Sequence, residues 1–132
     1  MNAGFLLSVG GLDAEQLLAE LHPVDPAGVR VVAAPAVLRW MWPKRIGAMA
    51  TRAKIYVDPP LLAGDPRMIK YLMVHELVHV RQWSDYGFFG FLRRYASEYI
   101  RGRRKGLSHN EAYRANRLEQ EARQVEERFR TG

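Results

Sequence analysis

The chain is predicted to adopt an α+β fold in which a small sheet of two or three strands precedes three long helices. Two short segments rich in β-branched residues lie at 29–33 and 53–57, whereas helical hydrophobic periodicity dominates after residue 65. Strands that cluster ahead of helices are typical of α+β proteins. With 132 residues and 48% hydrophobic content, the chain is long enough to build one core, so we expect a single domain over 1–132.

Caps and breakers define the elements of the first half. Asp13, placed before the run 14–21, predicts a short capped helix that ends before Pro23 and Pro26. Val29–Ala33 and Ala53–Val57 are predicted strands, because β-branched residues favour extended backbone. The segment between these strands has no clear period and is left unassigned; it contains Trp40, Trp42, Pro43 and Gly47.

Three helices are predicted in the second half. Asp65 followed by Pro66 is a strong start signal, because Asp caps free backbone donors and proline at the first helical position loses no hydrogen bond. This helix should run from Pro66 to about Asp85. A second should cover 88–101, and a capping box that begins at Ser108 predicts a third, which continues to about residue 129.

Composition and charge narrow the classes of function. The chain has no cysteine, which excludes disulfide frameworks, thiolate metal sites and cysteine nucleophiles. Its amino terminus has no basic residue ahead of the apolar stretch, and no apolar run is long enough for a membrane helix, so we expect a soluble cytoplasmic protein. The formal net charge is +6. Much of the excess lies between Arg93 and Lys105, where it could contact nucleic acid, an anionic surface or an acidic substrate, or form a solvated helix face.

The most specific motif is His75-Glu76-Leu77-Val78-His79 on the first long helix. Histidines four residues apart project from one face of a helix, where two imidazole nitrogens can bind one metal ion. Glu76 can face a metal-bound water and act as general base and then acid in hydrolysis. The alternative is a chance pattern, which has a probability of about one per cent in a chain of this length. We therefore expect Zn²⁺ as the cofactor.

A catalytic zinc site needs a third protein ligand. Glu119 and Glu121 flank the apolar stripe of the last helix on opposite sides, so periodicity leaves both open. A structural site would instead close its fourth position, for which His22 or His109 is available. His109 and Tyr113 are the candidates for a hydrogen-bond donor to a developing oxyanion, although each could simply be a structural residue.

These residues resemble those of a known family. His75 to His79 followed by the run 119–122, Glu-Gln-Glu-Ala, resembles the gluzincin metallopeptidases, in which a Glu three residues before an Ala is the third ligand. The run 75–82 with the later Asn-x-x-Glu-x-x-Ala pattern is also similar to small bacterial zincin-like domains. The likeness covers about 53–123 and implies a minimal zincin-like metallopeptidase with Glu119 as third ligand.

The resemblance carries two further expectations and one departure. It implies that 53–57 is an edge strand over the active-site helix, where a peptide substrate could add as a further strand; an ordinary half-buried strand is the alternative. Many gluzincins have Asp directly after the Ala, where this chain has Arg123. The usual carboxylate that orients a zinc-bound histidine is then missing or replaced, and Asp85 and Glu121 are the candidates to replace it.

Two functions from different classes remain. The first is a zinc metalloendopeptidase that acts on a peptide or protein substrate, with His75, His79 and Glu119 as ligands and Glu76 as base. The second is a zinc-stabilised binding module without catalytic activity, in which the basic segment 93–105 binds nucleic acid or anionic membrane. Glu76 favours the first, because a structural zinc site needs no general base.

Overall fold

The structure is a computed structural model that describes residues 2–37 and 48–131. It confirms the predicted α+β class: three short strands form one sheet, and the longest helices follow it along the chain. Trp40, Trp42, Pro43 and Gly47, which the sequence left unassigned, lie outside the described residues.

Two short helices precede the sheet. Helix α1 (Ala3–Val9) was not predicted, because seven residues carry too little helical periodicity; it is held by the Asn2 cap and by burial of Leu6 and Leu7. Helix α2 (Ala14–Leu21) confirms the prediction. The Asp13 carboxylate accepts hydrogen bonds from two backbone amides in the first turn of α2, at 2.9 and 3.3 Å.

The sheet has the order β1-β3-β2, with β1 at Arg30–Ala33, β2 at Ala48–Ala50 and β3 at Lys54–Val57. Strand β3 pairs in parallel with β1 and antiparallel with β2, so it is the central strand. The expectation that 53–57 forms the edge strand over the active-site helix was therefore wrong. The edge next to that helix is β2, whose three small or flexible residues give no β-periodicity signal.

The long helix α4 (Lys70–Arg104) follows a single short turn of helix, α3 (Pro59–Leu62). The predicted start at Asp65 produces a 3₁₀ turn (Pro66–Met68), and the α-helix begins at Lys70. Gly87 interrupts α4 with φ 72° and ψ 172°, a region of backbone space that is essentially restricted to glycine. The interruption separates the two helices that the sequence predicted before and after this point.

The last predicted helix is two helices, α5 (His109–Ala115) and α6 (Arg117–Thr131). The capping box of Ser108 and Glu111 is confirmed. The break falls at Asn116, which is fully buried: its side-chain oxygen caps α6 through the Leu118 amide at 3.0 Å, and its amide nitrogen donates to the Tyr95 carbonyl at 3.1 Å. The break was not predicted, because Asn116 lies within an unbroken helical period and one of its two contacts, the Tyr95 carbonyl, is distant in sequence.

The main core lies between α1, α2, the sheet and one face of α4 and α6. A second, smaller cluster joins α4 residues on both sides of Gly87, Trp83 and Phe91, to Leu118 of α6. The two clusters enclose the segment of α4 that carries the His-Glu-x-x-His motif. Within the described residues, no helix is long and apolar enough to cross a membrane.

Candidate metal centre

Helix α4 places the motif side chains at the boundary between the two core clusters. His79 and Glu76 are buried, and the His75 side chain is 12% exposed. The residues around them, Met73, Val74, Leu77 and Val78, are fully buried. The helix therefore holds three polar side chains in a low-dielectric setting, which is destabilising unless each has a partner.

Glu119 of α6 meets both histidines. Its Oε2 lies 3.0 Å from His75 Nε2, and its Oε1 lies 3.0 Å from His79 Nε2. The ligand atoms of the three side chains all lie within 4.8 Å of one another, so His75, His79 and Glu119 could hold a metal ion. Glu121 faces elsewhere: its side chain is 46% exposed and bonds to Arg81 and Gln82. Of the two glutamates that periodicity left open, Glu119 is the one that lies beside both histidines.

Gln82 fixes the protonation of His79. The Gln82 amide nitrogen donates to the Leu118 carbonyl at 3.0 Å and to Glu121 Oε1 at 2.9 Å, which leaves its oxygen facing His79 Nδ1 at 2.8 Å. An amide oxygen only accepts, so His79 Nδ1 must carry the proton. The lone pair of the neutral ring is then on Nε2, the atom that faces Glu119.

Glu126 fixes the protonation of His75 in the same way. It lies seven residues after Glu119, two turns along the same face of α6, and its Oε1 accepts from His75 Nδ1 at 3.2 Å. The orienting carboxylate that seemed to be missing at Arg123 is therefore supplied one turn later. Neither predicted substitute takes that position: Asp85 pairs with Arg81, and Glu121 reaches His79 only through Gln82.

The geometry at His79 Nε2 fits a ligand. This atom is buried and makes no hydrogen bond, although Glu119 Oε1 is only 3.0 Å away. A buried imidazole nitrogen without a hydrogen-bond partner is a costly arrangement in a native protein. Two imidazoles and a carboxylate form a donor set that divalent transition metals accept, and both rings have the protein acceptors that usually orient such ligands.

Burial and the paired charges shift the pKa values of the centre. Burial lowers the pKa of His75, but its bonds to Glu119 and Glu126 outweigh burial and raise that pKa to about 9. Burial acts to raise the pKa of Glu119, yet the two histidines hold it well below its usual range. Burial raises the pKa of Glu76 to about 7 despite the neighbouring histidines. Glu76 is thus poised to exchange a proton near neutral pH.

A cavity of about 460 Å³ lies beside the centre. Its walls include edge strand β2, the motif residues Glu76 and His79, and an aromatic stretch of α4 after Gly87. Gly87 redirects α4 so that Phe91 stacks on Trp83 with ring centroids 4.2 Å apart. The kink at this one glycine thereby places the aromatic stretch of the same helix in the cavity wall.

Two tyrosines lie in the cavity wall near Glu119. The Tyr95 hydroxyl donates to Glu119 Oε1 at 3.1 Å, and Tyr113 also lines the cavity. Burial, followed by proximity to Glu119, raises the pKa of both phenols. Tyr113 was a sequence candidate, whereas Tyr95 was missed. The i, i+4 spacing of Phe91, Tyr95 and Tyr99 was the available signal, because it places three aromatic rings on one helix face.

The other two histidines stay apart from the centre. The structure does not bring His109 into the cavity wall: it is exposed, and its Nδ1 lies 2.9 Å from the Tyr99 hydroxyl. His22 caps the end of α2. In residues 2–37 and 48–131, the metal-capable group contains His75, His79 and Glu119 alone, and neither His22 nor His109 joins it as a fourth ligand.

Comparisons with known proteins place the chain in no group. No family model, no characterised protein and no solved structure matches it. The inference of function rests on the geometry of this centre.

Proposed function

We propose that the chain is a zinc-dependent metallopeptidase that hydrolyses peptide bonds in the cavity beside His75, His79 and Glu119. The observation that carries the proposal is the position of Glu76. Its buried carboxyl lies in the cavity wall beside the three candidate ligands, with a pKa of about 7. This is the position that a general base and acid requires.

The residues of the chain divide the chemistry between them. His75, His79 and Glu119 would hold the metal, with both imidazoles presenting Nε2 because Glu126 and Gln82 bind the Nδ1 protons. A bound zinc ion supplies a water of lowered pKa and polarises the substrate carbonyl. Glu76 takes a proton from the attacking water and returns it to the leaving amine. The phenols of Tyr95 and Tyr113 stay protonated and can donate to the oxygen on which negative charge develops.

The form of the cavity supports a peptide substrate. Strand β2 borders the cavity, and among the described residues its backbone pairs with β3 alone. An extended peptide could add to a strand at this position, with one side chain in the apolar aromatic part of the cavity. A purely structural zinc site would bind a fourth protein ligand instead, and the described residues provide no such ligand at the centre.

The test measures metal content and peptide hydrolysis in the same preparations. Purified protein, loaded with zinc and washed, is assayed by mass spectrometry for metal and with a fluorogenic peptide library for turnover. Glu76→Gln should retain one zinc per chain and lose turnover by about 10²–10⁴-fold, since it removes the proton acceptor alone. Glu127→Gln is the matched control: it makes the same change at an exposed glutamate of α6 that does not line the cavity, and it should keep both zinc and turnover.

A second variant tests the role of a tyrosine separately from the role of the general base Glu76. Tyr95→Phe removes a single hydroxyl and should lower turnover while zinc binding persists. Zinc in the wild type without hydrolysis of any library peptide would favour the zinc-stabilised binding module. A wild type that takes up no zinc would exclude both functions.

A further inference from the structure

The part of α4 after Gly87 carries an exposed apolar stripe. Phe89, Leu92, Ala96 and Ile100 recur at spacings of three or four residues, which places them on one face of the helix. All four are exposed; Phe89 is 82% exposed, Ile100 49% and Leu92 43%. We call these four residues the outer stripe. The opposite face of the same helix packs inward through Phe91 and Gly102.

Basic side chains flank the outer stripe along its length. The segment 88–105 contains six basic residues and one acidic residue, Glu98. Glu98 lies within salt-bridge distance of Arg101 and Arg117, and Arg94 lies over the Tyr86 ring. The described residues give no salt bridge to the remaining four, which are Arg93, Arg103, Arg104 and Lys105. An exposed apolar stripe with basic neighbours that form no salt bridge in the described residues thus runs along this helix, and two of its members, Leu92 and Ala96, also line the cavity.

We propose that this face docks on an anionic lipid bilayer, with the outer stripe entering the interface and the arginines contacting lipid phosphates. A large exposed apolar patch with polar rims marks an interaction surface. Helices that lie in a membrane interface combine an apolar strip containing Phe or Leu with Lys and Arg beside it. An anionic leaflet attracts each nearby basic side chain, with a gain in partitioning on the order of fivefold per charge.

The same observations argue against other occupants. A second copy of the chain would bring two equally cationic segments together, which is unfavourable for a self-complementary interface. Nucleic acid could bind the basic side chains, but the aliphatic residues of the stripe, Leu92 and Ile100, offer no hydrogen-bond donors to phosphates or bases. A bilayer accommodates both the apolar stripe and the basic side chains, because its acyl chains contact the apolar residues and its anionic headgroups bind the cations.

Vesicle flotation tests the proposal with the full-length protein. Vesicles of phosphatidylcholine alone are compared with equimolar phosphatidylcholine and phosphatidylglycerol, at low and high salt. The wild type should float with the anionic vesicles and bind neutral ones more weakly. Phe89→Ser with Leu92→Ser should reduce anionic binding by at least about tenfold, since both apolar insertions are lost. Met68→Ser is the matched control, because Met68 is also 82% exposed but lies outside the segment.

A second pair of variants tests the charges. Arg93→Gln with Arg104→Gln should reduce anionic binding and its salt dependence, whereas Arg30→Gln with Lys54→Gln removes the same net charge from the sheet and should leave binding unchanged. Circular dichroism checks that each variant is folded. The proposal is overturned if neither vesicle binds, if both charge pairs weaken binding equally, or if Phe89→Ser with Leu92→Ser leaves vesicle binding intact. A dimer in light scattering that those two serines dissociate would overturn it as well, as would tight binding of an oligonucleotide in place of vesicles.

Discussion

Replacement of Gln82 tests the argument that the protein fixes the metal-binding tautomer of His79. Gln82→Leu keeps a side chain of similar volume but removes the acceptor for His79 Nδ1 and the donor to the Leu118 carbonyl. Orienting partners of this kind typically contribute 10–100-fold in metal affinity. We therefore expect the zinc affinity to fall by about that factor, since the ring can rotate and either nitrogen can carry the proton.

The cost in stability follows from the same two contacts. Gln82 is 1% exposed, so water does not replace the lost bonds. A buried donor left without a partner costs about 1–3 kcal/mol, and the carbonyl adds a smaller amount, so the free energy of unfolding should fall by about 2–4 kcal/mol. Glu121 adds little because its side chain is 46% exposed and can bind water.

Gln82→Glu distinguishes the effect on zinc affinity from the effect on stability. A carboxylate still accepts from His79 Nδ1, so the zinc affinity should stay within a few-fold of wild type. It cannot donate to the Leu118 carbonyl or to Glu121 and places a buried carboxylate beside both acceptors, so the free energy of unfolding should also fall, for a reason that does not involve His79. Affinity is measured by competition with a chromophoric chelator, and stability by urea unfolding of the metal-free protein. Equal zinc affinities for wild type and Gln82→Leu would refute the reasoning.

Two other predictions concern the protonation of the centre and the break in α4. In the metal-free fold the pKa of His75 is about 9, above the unfolded value of 6.5. Protonated His75 therefore contributes its full share of the folding free energy below pH 6.5 and loses it as the pH rises to 9. Urea unfolding should show the free energy of unfolding falling by an amount on the order of 3 kcal/mol over that window. The raised pKa of Glu76 acts in the same direction, and Glu119→Gln should remove most of this slope. Gly87→Ala should lower the free energy of unfolding by about 1–3 kcal/mol, because φ of 72° strains a residue with Cβ. Gly28→Ala, at a glycine with open space and no positive φ, is the control and should shift the urea midpoint little.

Local signals predicted the parts of the fold that local forces determine. The Asp13 cap, the capping box at Ser108 and the spacing of His75 and His79 each act within one turn of helix, so sequence reading found them. The break at Asn116 depends on the Tyr95 carbonyl, which is distant in sequence. Because that break was not predicted, α5 and α6 were predicted as one continuous helix.

The site was predictable to the extent that its ligands share a helix face. His75, His79 and Glu76 followed from i, i+4 geometry, whereas the choice of Glu119 came from resemblance, since both glutamates flank the stripe equally. Glu126 and Gln82 were missed for a physical reason. A residue that orients a ligand is defined by the atom that it contacts and by its own other partners, here the Leu118 carbonyl for Gln82 and His75 for Glu126, and no spacing along one helix encodes contacts between two helices.

Arg123 stands where many gluzincins have Asp, and the structure explains this difference. The guanidinium of Arg123 donates to the Arg114 carbonyl, which ties the start of α6 to the end of α5. A carboxylate at 123 would lose that tie, whereas Glu126 reaches His75 from one turn further along α6. Both histidines thus keep an acceptor for Nδ1. The centre also buries Glu76 and Glu119 beside two imidazoles, and a buried group of this kind often contributes less to stability than well-packed apolar residues would. Under the proposed function, a bound cation and a proton to transfer would account for this geometry.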